Sequence, residues 1–242
     1  LKGILGREGK KNLQALKMAA GLDAALFGRM VTSDILSRGD AAVHVAHAFT
    51  VHAEASEADY FSAVDDLLSG DEELGSGHIG SVELTSGLFY GYVVLDLPLL
   101  VSNLEGCPTE EWEGADHDLA SRVVQSLANL VARVSPGAKL GSTAPYSYAH
   151  LLLVETGSAQ PRTLANAFLD PVPSAPGMLR NTYQALGRYI ADLDSMYGAP
   201  TARRLAASGP VEDLTSQTGI ERVTSLDELS GWLAARVRGE DG

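Results

Sequence analysis

Three groups of residues have the types and spacings that chemistry requires. GSGHIG (75–80) matches G-x-G-x-x-G letter for letter. In a dinucleotide site that pattern follows a strand and opens a helix, so that the pyrophosphate rests on the helix N-terminus. Here an acidic stretch precedes it and a strand-like run follows, so the match is accidental. Six histidines invite a metal. His44 and His52 share a strand face, but eight residues of strand span about 26 Å at about 3.3 Å each. His44 and His47 fall on opposite faces, and no pair has the spacing of H-E-x-x-H. These histidines read as satisfied structural residues. The single cysteine, Cys107, supplies no zinc knuckle. It has no evident histidine partner and reads as a loop or core thiol. The third group is acidic: Asp65, Asp66, Asp71, Glu72 and Glu73. They could hold magnesium or act as an acid/base pair, yet adjacent carboxylates on a strand face opposite ways and loop acids are ordinarily solvated. No Ser/His/Asp or P-loop signature is present. What remains is the aromatic pair Tyr60–Phe61, set directly before those acids. It is either strand-end core or a stacking surface.

The elements that must position these residues come from a chain of 242 residues, 45% hydrophobic and 20% charged. That length builds one elaborated domain or two small ones with a real core. No apolar window reaches membrane-spanning length, and the opening residues lack a signal-peptide pattern. The chain therefore reads as the body of a longer polypeptide, and one cysteine suits a reducing cytoplasm. The net charge of −13 argues against nucleic acid until its distribution is seen. Residues 1–38 carry seven Lys/Arg against three acids; residues 39–121 carry seventeen acids and no Lys or Arg; the remainder is balanced. The acidity lives in one middle segment, and such asymmetry signals a partner.

Residues 7–20 read as a helix with Arg7, Lys10 and Lys17 on one face, either solvated or set against phosphates. ALFGRM (25–30) reads as a short strand. AAVHVAHAFTVHAEA alternates, with Val43, Val45, His47, Phe49 and Val51 on one face, and predicts a half-buried strand. Residues 53–80 form an acidic, glycine-rich excursion. Residues 81–97 supply one or two strands, with Gly87 and Gly91 at bulges or points of close backbone approach. HDLASRVVQSLANLVARV predicts a helix with Leu119, Val123, Leu127, Leu130 and Val134 along its stripe. YAHLLLVET is a buried strand, LDPVPSAPG a loop, and MLRNTYQALGRYIADLDSMYG an amphipathic helix. SLDELSGWLAARVRG is a C-terminal helix opened by a Ser225/Glu228 capping box. Mixed strands and helices without a βαβ repeat make the class α+β.

Five stretches in order, DAALFGRM, AAVHVAHAFTVHAEASEADYFSAVDDL, GSGHIGSVELTSGLFYGYVVLDLPLLVSNLEG, VSPGAK and QPRTLANAFLDPV, resemble the Cas-seven family (CasC/Cse-four), the backbone subunit of the type I-E CRISPR surveillance complex Cascade. The resemblance runs from about residue 21 to the C-terminal helix. It implies an RRM-like (ferredoxin-like) palm with a helical insertion and a protruding thumb hairpin. It also implies several copies stacked along a guide RNA (crRNA), with one guide nucleotide displaced at regular intervals so that target DNA pairs in short segments. The whole chain, 1–242, is then one such body lacking its N-terminal part, and residues 53–80 are the thumb.

The same resemblance assigns roles. Tyr60, Phe61 and Ser62 match an aromatic-aromatic-hydroxyl step that packs at the guide's kink, where stacking tolerates any base. Met30, a core residue when read alone, matches a methionine that wedges against the displaced nucleotide beside Arg29. Lys10, Lys11 and Lys17 fall, by region, where the family holds target DNA or guide phosphates, and Lys139 matches a lysine at a turn near RNA. After ANAF the lysines of some relatives are replaced by LDPVPSAPG. The thumb's acids are expected to dock on a neighbouring copy, so charge reversal at Asp65 and Asp66 should impair assembly more than RNA affinity.

The implied function is non-enzymatic, without cofactor or metal, in the cytoplasm. Its partners are guide RNA, target DNA, further copies of the chain and other Cascade subunits. A metal-dependent target-RNA endonuclease and a pure protein–protein assembly module stand as alternatives.

Overall fold

The computed structural model describes residues 21–29, 39–53, 57–63, 78–84, 86–135, 144 and 146–240. The fold is mixed α+β, with short helices and small sheets.

The first departure from the sequence reading is at ALFGRM. Gly21–Phe27 forms a helix, α1, with Ala25 and Leu26 buried and Asp23 in its first turn. At seven residues it is too short to display a helical repeat, which is why its apolar tail resembles a strand. Gly28 ends it at φ +73°, and its N–H bonds Ala24 O at 3.0 Å. Among the described residues of that stretch, only Arg29 keeps strand character, exchanging backbone bonds with Gly39 at 2.9 and 3.2 Å.

The alternating segment folds as two short strands, β1 (Val43–Val45) and β2 (Phe49–Thr50). Its return limb comprises β5 (Phe89–Tyr90) and β6 (Val93–Leu95), after the hairpin β3 (Glu57–Ala63) and β4 (His78–Leu84). Val45 pairs with Val93, and Ala46 N–H bonds Tyr92 O, but Phe49 pairs with Tyr90. His47 and Ala48 therefore oppose the single residue Gly91, which is a β-bulge. The expected alternation of burial already fails before it, within β1. Val43 and Val51 are buried, whereas Val45 is 68% exposed. His44 and His47 are exposed too, which corrects the expectation that they are structural residues of the core. The bulge resets the register, and only two described strands pair here, so both faces reach solvent. Gly87 does mark a close approach, since a Cβ there would lie 2.6 Å from His52 Nε2. His52 is structural: Nδ1 donates to Ala53 O at 2.8 Å and Nε2 accepts from Leu88 N–H at 3.2 Å.

Helix α2 (Leu97–Glu105) starts where the Asp96 carboxylate accepts from Leu99 N–H and stops at left-handed Gly106. A 3-10 turn (Thr109–Gly114) leads to α3 (Asp118–Arg133). The helix was legible in the sequence; its buried face was legible only in part. Val123 of the expected stripe is buried and Leu127 packs against the same core, but Leu119, Leu130 and Val134 are exposed, and Ala120, Ser121, Val124, Ala128 and Ala132 are buried beside them. Small side chains let α3 approach the C-terminal helix α6 (Leu226–Val237), where Asn129 Nδ2 donates to Ser230 Oγ and Arg238 Nη1 to Ser121 Oγ.

A three-stranded sheet joins β7 (Leu151–Thr156) antiparallel to β8 (Ala202–Ala207), and β8 parallel to β9 (Glu221–Arg222). α4 (Met178–Tyr197) and α5 (Glu212–Thr218) pack together at Gly187, where a Cβ would come within 3.1 Å of Leu214 Cα. One core gathers Val51, Phe168, Tyr183, Leu186, Ile190, Leu205 and Leu214; a second gathers Leu26, Val43, Leu100, Val101 and Val124. The segment LDPVPSAPG is a loop. No described helix is long and apolar enough to cross a membrane.

Candidate nucleic-acid interface

β3 and β4 pair over seven residues each, with Tyr60 opposite Ser81, Phe61 opposite Gly80 and Ser62 opposite Ile79. Residues two apart on a strand share a face, and so do cross-strand partners. One face of the hairpin therefore carries Ala58 and Tyr60 on β3 with Glu83 and Ser81 on β4, and all four are exposed. Tyr60 is 76% exposed, so it is not core. An aromatic ring held open on a paired strand is a surface on which a base can stack. Glu83 lies diagonally across from it, which favours contact with an uncharged base over contact with a phosphate. The hairpin also disposes of the glycine motif: His78–Leu84 is a strand, and no helix N-terminus follows GSGHIG.

Arg29 is exposed and held by the Gly39 bridge at the end of α1. Gly28 is required there, because a Cβ would meet Gly39 O at 2.7 Å and Ala41 N at 2.9 Å. Arg29 and Tyr60 thus stand on two separate pieces of backbone. Lys10, Lys11, Lys17, Met30 and Lys139, and the acids Asp65, Asp66, Asp71, Glu72 and Glu73, lie outside the described residues. Among the described residues no three His, Cys, Asp or Glu gather as a metal site.

The strongest electrostatic cluster lies elsewhere. Arg162 holds both oxygens of Glu155 (3.0 and 3.2 Å) and reaches Asp194 Oδ1 at 2.7 Å, while Arg203 holds Asp194 Oδ2. Burial alone would raise the Asp194 carboxyl; the hydrogen bonds from Arg203 and Arg162 outweigh it and hold the group below its usual range. The Glu155 carboxylate likewise holds Arg162 firmly in its charged form. All four side chains are mostly buried, with charges balanced two against two, so the cluster ties β7, β8 and α4 together rather than serving a ligand. His117 is also structural: it stacks on Trp112 and places its ring nitrogens 2.8 Å from Trp112 O and 3.0 Å from Val237 O.

The sequence matches the model of one protein family, described as CT1975-like protein, over residues 5–232. That is nearly the entire chain. The chain belongs to the CT1975-like family. The assignment to the CasC/Cse-four backbone of type I-E Cascade is corrected accordingly. The family model that residues 5–232 match is the CT1975-like one. Chains of many solved structures are similar, two of them as follows. One chain, from a structure described as "CRISPR RNA-guided surveillance complex, pre-nicking", superposes with TM-score 0.75 at 26% identity over 97% of this chain. Another, from a "CRISPR RNA-guided surveillance complex", gives TM-score 0.73 at 28% identity over 94% of this chain and 83% of its own. The chain spans 59% of the length of the first. No curated protein matches.

Proposed function

We propose that this CT1975-like protein is a non-catalytic, guide-RNA-binding subunit of a CRISPR RNA-guided surveillance complex, present in several copies along the guide. The observation that carries the reading is the likeness of almost the whole chain to chains of two such complexes, at identities above one quarter. The partners proposed with it are guide RNA, target DNA, other copies of the chain and the complex's other subunits, in the cytoplasm. β3–β4 is assigned as the thumb of an RRM-like palm. Its seven-residue pairing and open tyrosine face support that assignment.

In this reading sequence recognition belongs to base pairing, and the protein supplies shape and backbone contacts. Tyr60, with Phe61 and Ser62 beside it in the strand, stacks at the point where the guide kinks. Met30 wedges the displaced nucleotide, with Arg29 at its side. Lys10, Lys11, Lys17 and Lys139 neutralise phosphates that the acidic middle of the chain would repel. The division is chemically coherent because stacking depends on a ring and not on charge.

The test is co-expression of the full-length protein with its neighbouring genes and a CRISPR array, as wild type and as the Met30→Ala, Tyr60→Ala, Phe61→Ala triple variant. Wild type should purify with RNA. The triple variant should retain its fold by circular dichroism and lose most of that RNA, because each base–aromatic stack contributes about 1–3 kcal/mol. Equal RNA in both preparations would remove these residues from the interface.

A further inference from the structure

A second pair of exposed aromatics stands apart from the hairpin. Tyr146 and Tyr148 are 77% and 70% exposed, two positions apart in the short segment that precedes β7. That segment is fastened to the end of α3. Ser147 N–H donates to Ser135 Oγ at 3.0 Å, and Ser135 Oγ–H donates back to Ser147 O at 2.7 Å. Ala149 N–H meets Ala132 O at 2.8 Å, satisfying one of the carbonyls left open at the helix end. An N–H and C=O of one residue that meet the same atom mark an extended backbone presenting its edge. Side chains at i and i+2 then leave on the same side, about 6.6 Å apart.

That distance is about twice the roughly 3.4 Å rise of a stacked base. Two rings rooted that far apart leave room for one flat aromatic base when they lie parallel. We propose that Tyr146 and Tyr148 form a clip that takes one unstacked base of single-stranded nucleic acid. The proposal rests on the reading of the protein as a subunit of an RNA-guided complex. It adds a binding element that uses none of the hairpin residues. The backbone clasp at Ser135 and Ser147 holds the segment before any ligand arrives, so little ordering is required on binding. Stacking reads no base identity, which suits either a guide RNA or a strand of target DNA.

The experiment uses the full-length protein in its assembled complex, with three forms compared: wild type, Tyr146→Ala/Tyr148→Ala and Tyr146→Phe/Tyr148→Phe. Labelled single-stranded RNA and DNA oligonucleotides are titrated in parallel, and ultraviolet crosslinks are mapped by mass spectrometry. The alanine pair should weaken one of the two oligonucleotides by about 5- to 150-fold, the equivalent of one stack. The phenylalanine pair should stay within about twofold of wild type, because the ring and not the hydroxyl carries the contact. Crosslinks at the 146–148 peptide to RNA or to DNA identify which strand is held. Unchanged affinities with no crosslink there overturn the clip, while RNA retained through the hairpin leaves the functional reading standing. Loss of assembly by native mass spectrometry with unchanged affinity also overturns it, and makes this surface, with Leu130 and Val134, a protein interface. A wild-type complex that carries no RNA and binds neither oligonucleotide overturns both readings together.

Discussion

Gly28 shows how a single residue sets the geometry beside the proposed interface. Its φ of +73° and the 2.7 Å approach that a Cβ would make to Gly39 O leave room for no side chain. Gly28→Ala is expected to lower stability by about 1–3 kcal/mol in a denaturant melt. The neighbouring Arg29 bridge should loosen with it, seen as faster amide exchange at Arg29 and Gly39. Tyr60 makes the opposite case, a large aromatic that stability does not need. At 76% exposure, Tyr60→Ala should leave the melting midpoint within about 0.5 kcal/mol of wild type while weakening single-stranded RNA binding. At this scale the sequence was partly legible. The aromatic pair stood out because seventeen acids and no cation surround it. Tyr146 and Tyr148 did not, because their exposure depends on a clasp between residues twelve apart, which no local pattern announces. His47 was misread because alternation was carried through a bulge that only the partner strand's register reveals, and His44 because only two described strands pair there and leave its face open.

Among the elements, caps and turns were the most legible features. Ser225 Oγ accepts from Glu228 N–H at 3.1 Å, as the capping box predicts, although the Glu228 carboxylate returns its bonds to Thr224 N–H and Oγ–H and not to Ser225. Ser225→Ala should cost about 1 kcal/mol, read as a shift of the denaturation midpoint. What the sequence concealed was how far round a helix the buried face extends. On α3 Val123 and Leu127 of the apolar stripe do face the core, yet the helix also packs through Ala120, Ser121 and Ala128, because close approach to α6 favours small residues over large ones. Sheet pairing was concealed as well, since Arg162, Glu155, Asp194 and Arg203 meet only after β7, β8 and α4 come together. That cluster has a pH signature. Because the folded Asp194 carboxyl titrates below its unfolded value, its contribution is complete above about pH 4 and is lost as pH falls through the lower folded value. Wild type should therefore lose stability on acidification below about pH 4. Asp194→Asn should start about 1–3 kcal/mol less stable at pH 7 and show a shallower acid slope.

For the whole molecule, charge and fold divide the labour. In the proposed reading the acids of residues 39–121 keep phosphates away from the middle of the chain, while aromatic rings in and after that region are left for uncharged bases. Such a protein would hold a guide of arbitrary sequence by stacking and shape, and leave recognition to pairing. The α+β class was legible from the mixture of periodicities. The division into a three-stranded sheet and separate two-stranded sheets was not, because each depends on register between strands. The central claim is that the protein carries guide RNA, and one measurement meets it most directly. The full-length protein, purified after co-expression with its neighbouring genes and a CRISPR array, would be extracted and its nucleic acid sequenced. The account predicts RNA of uniform length derived from the array, with a raised ratio of absorbance at about 260 to 280 nm. A preparation with a protein-like ratio and no array-derived RNA would contradict it.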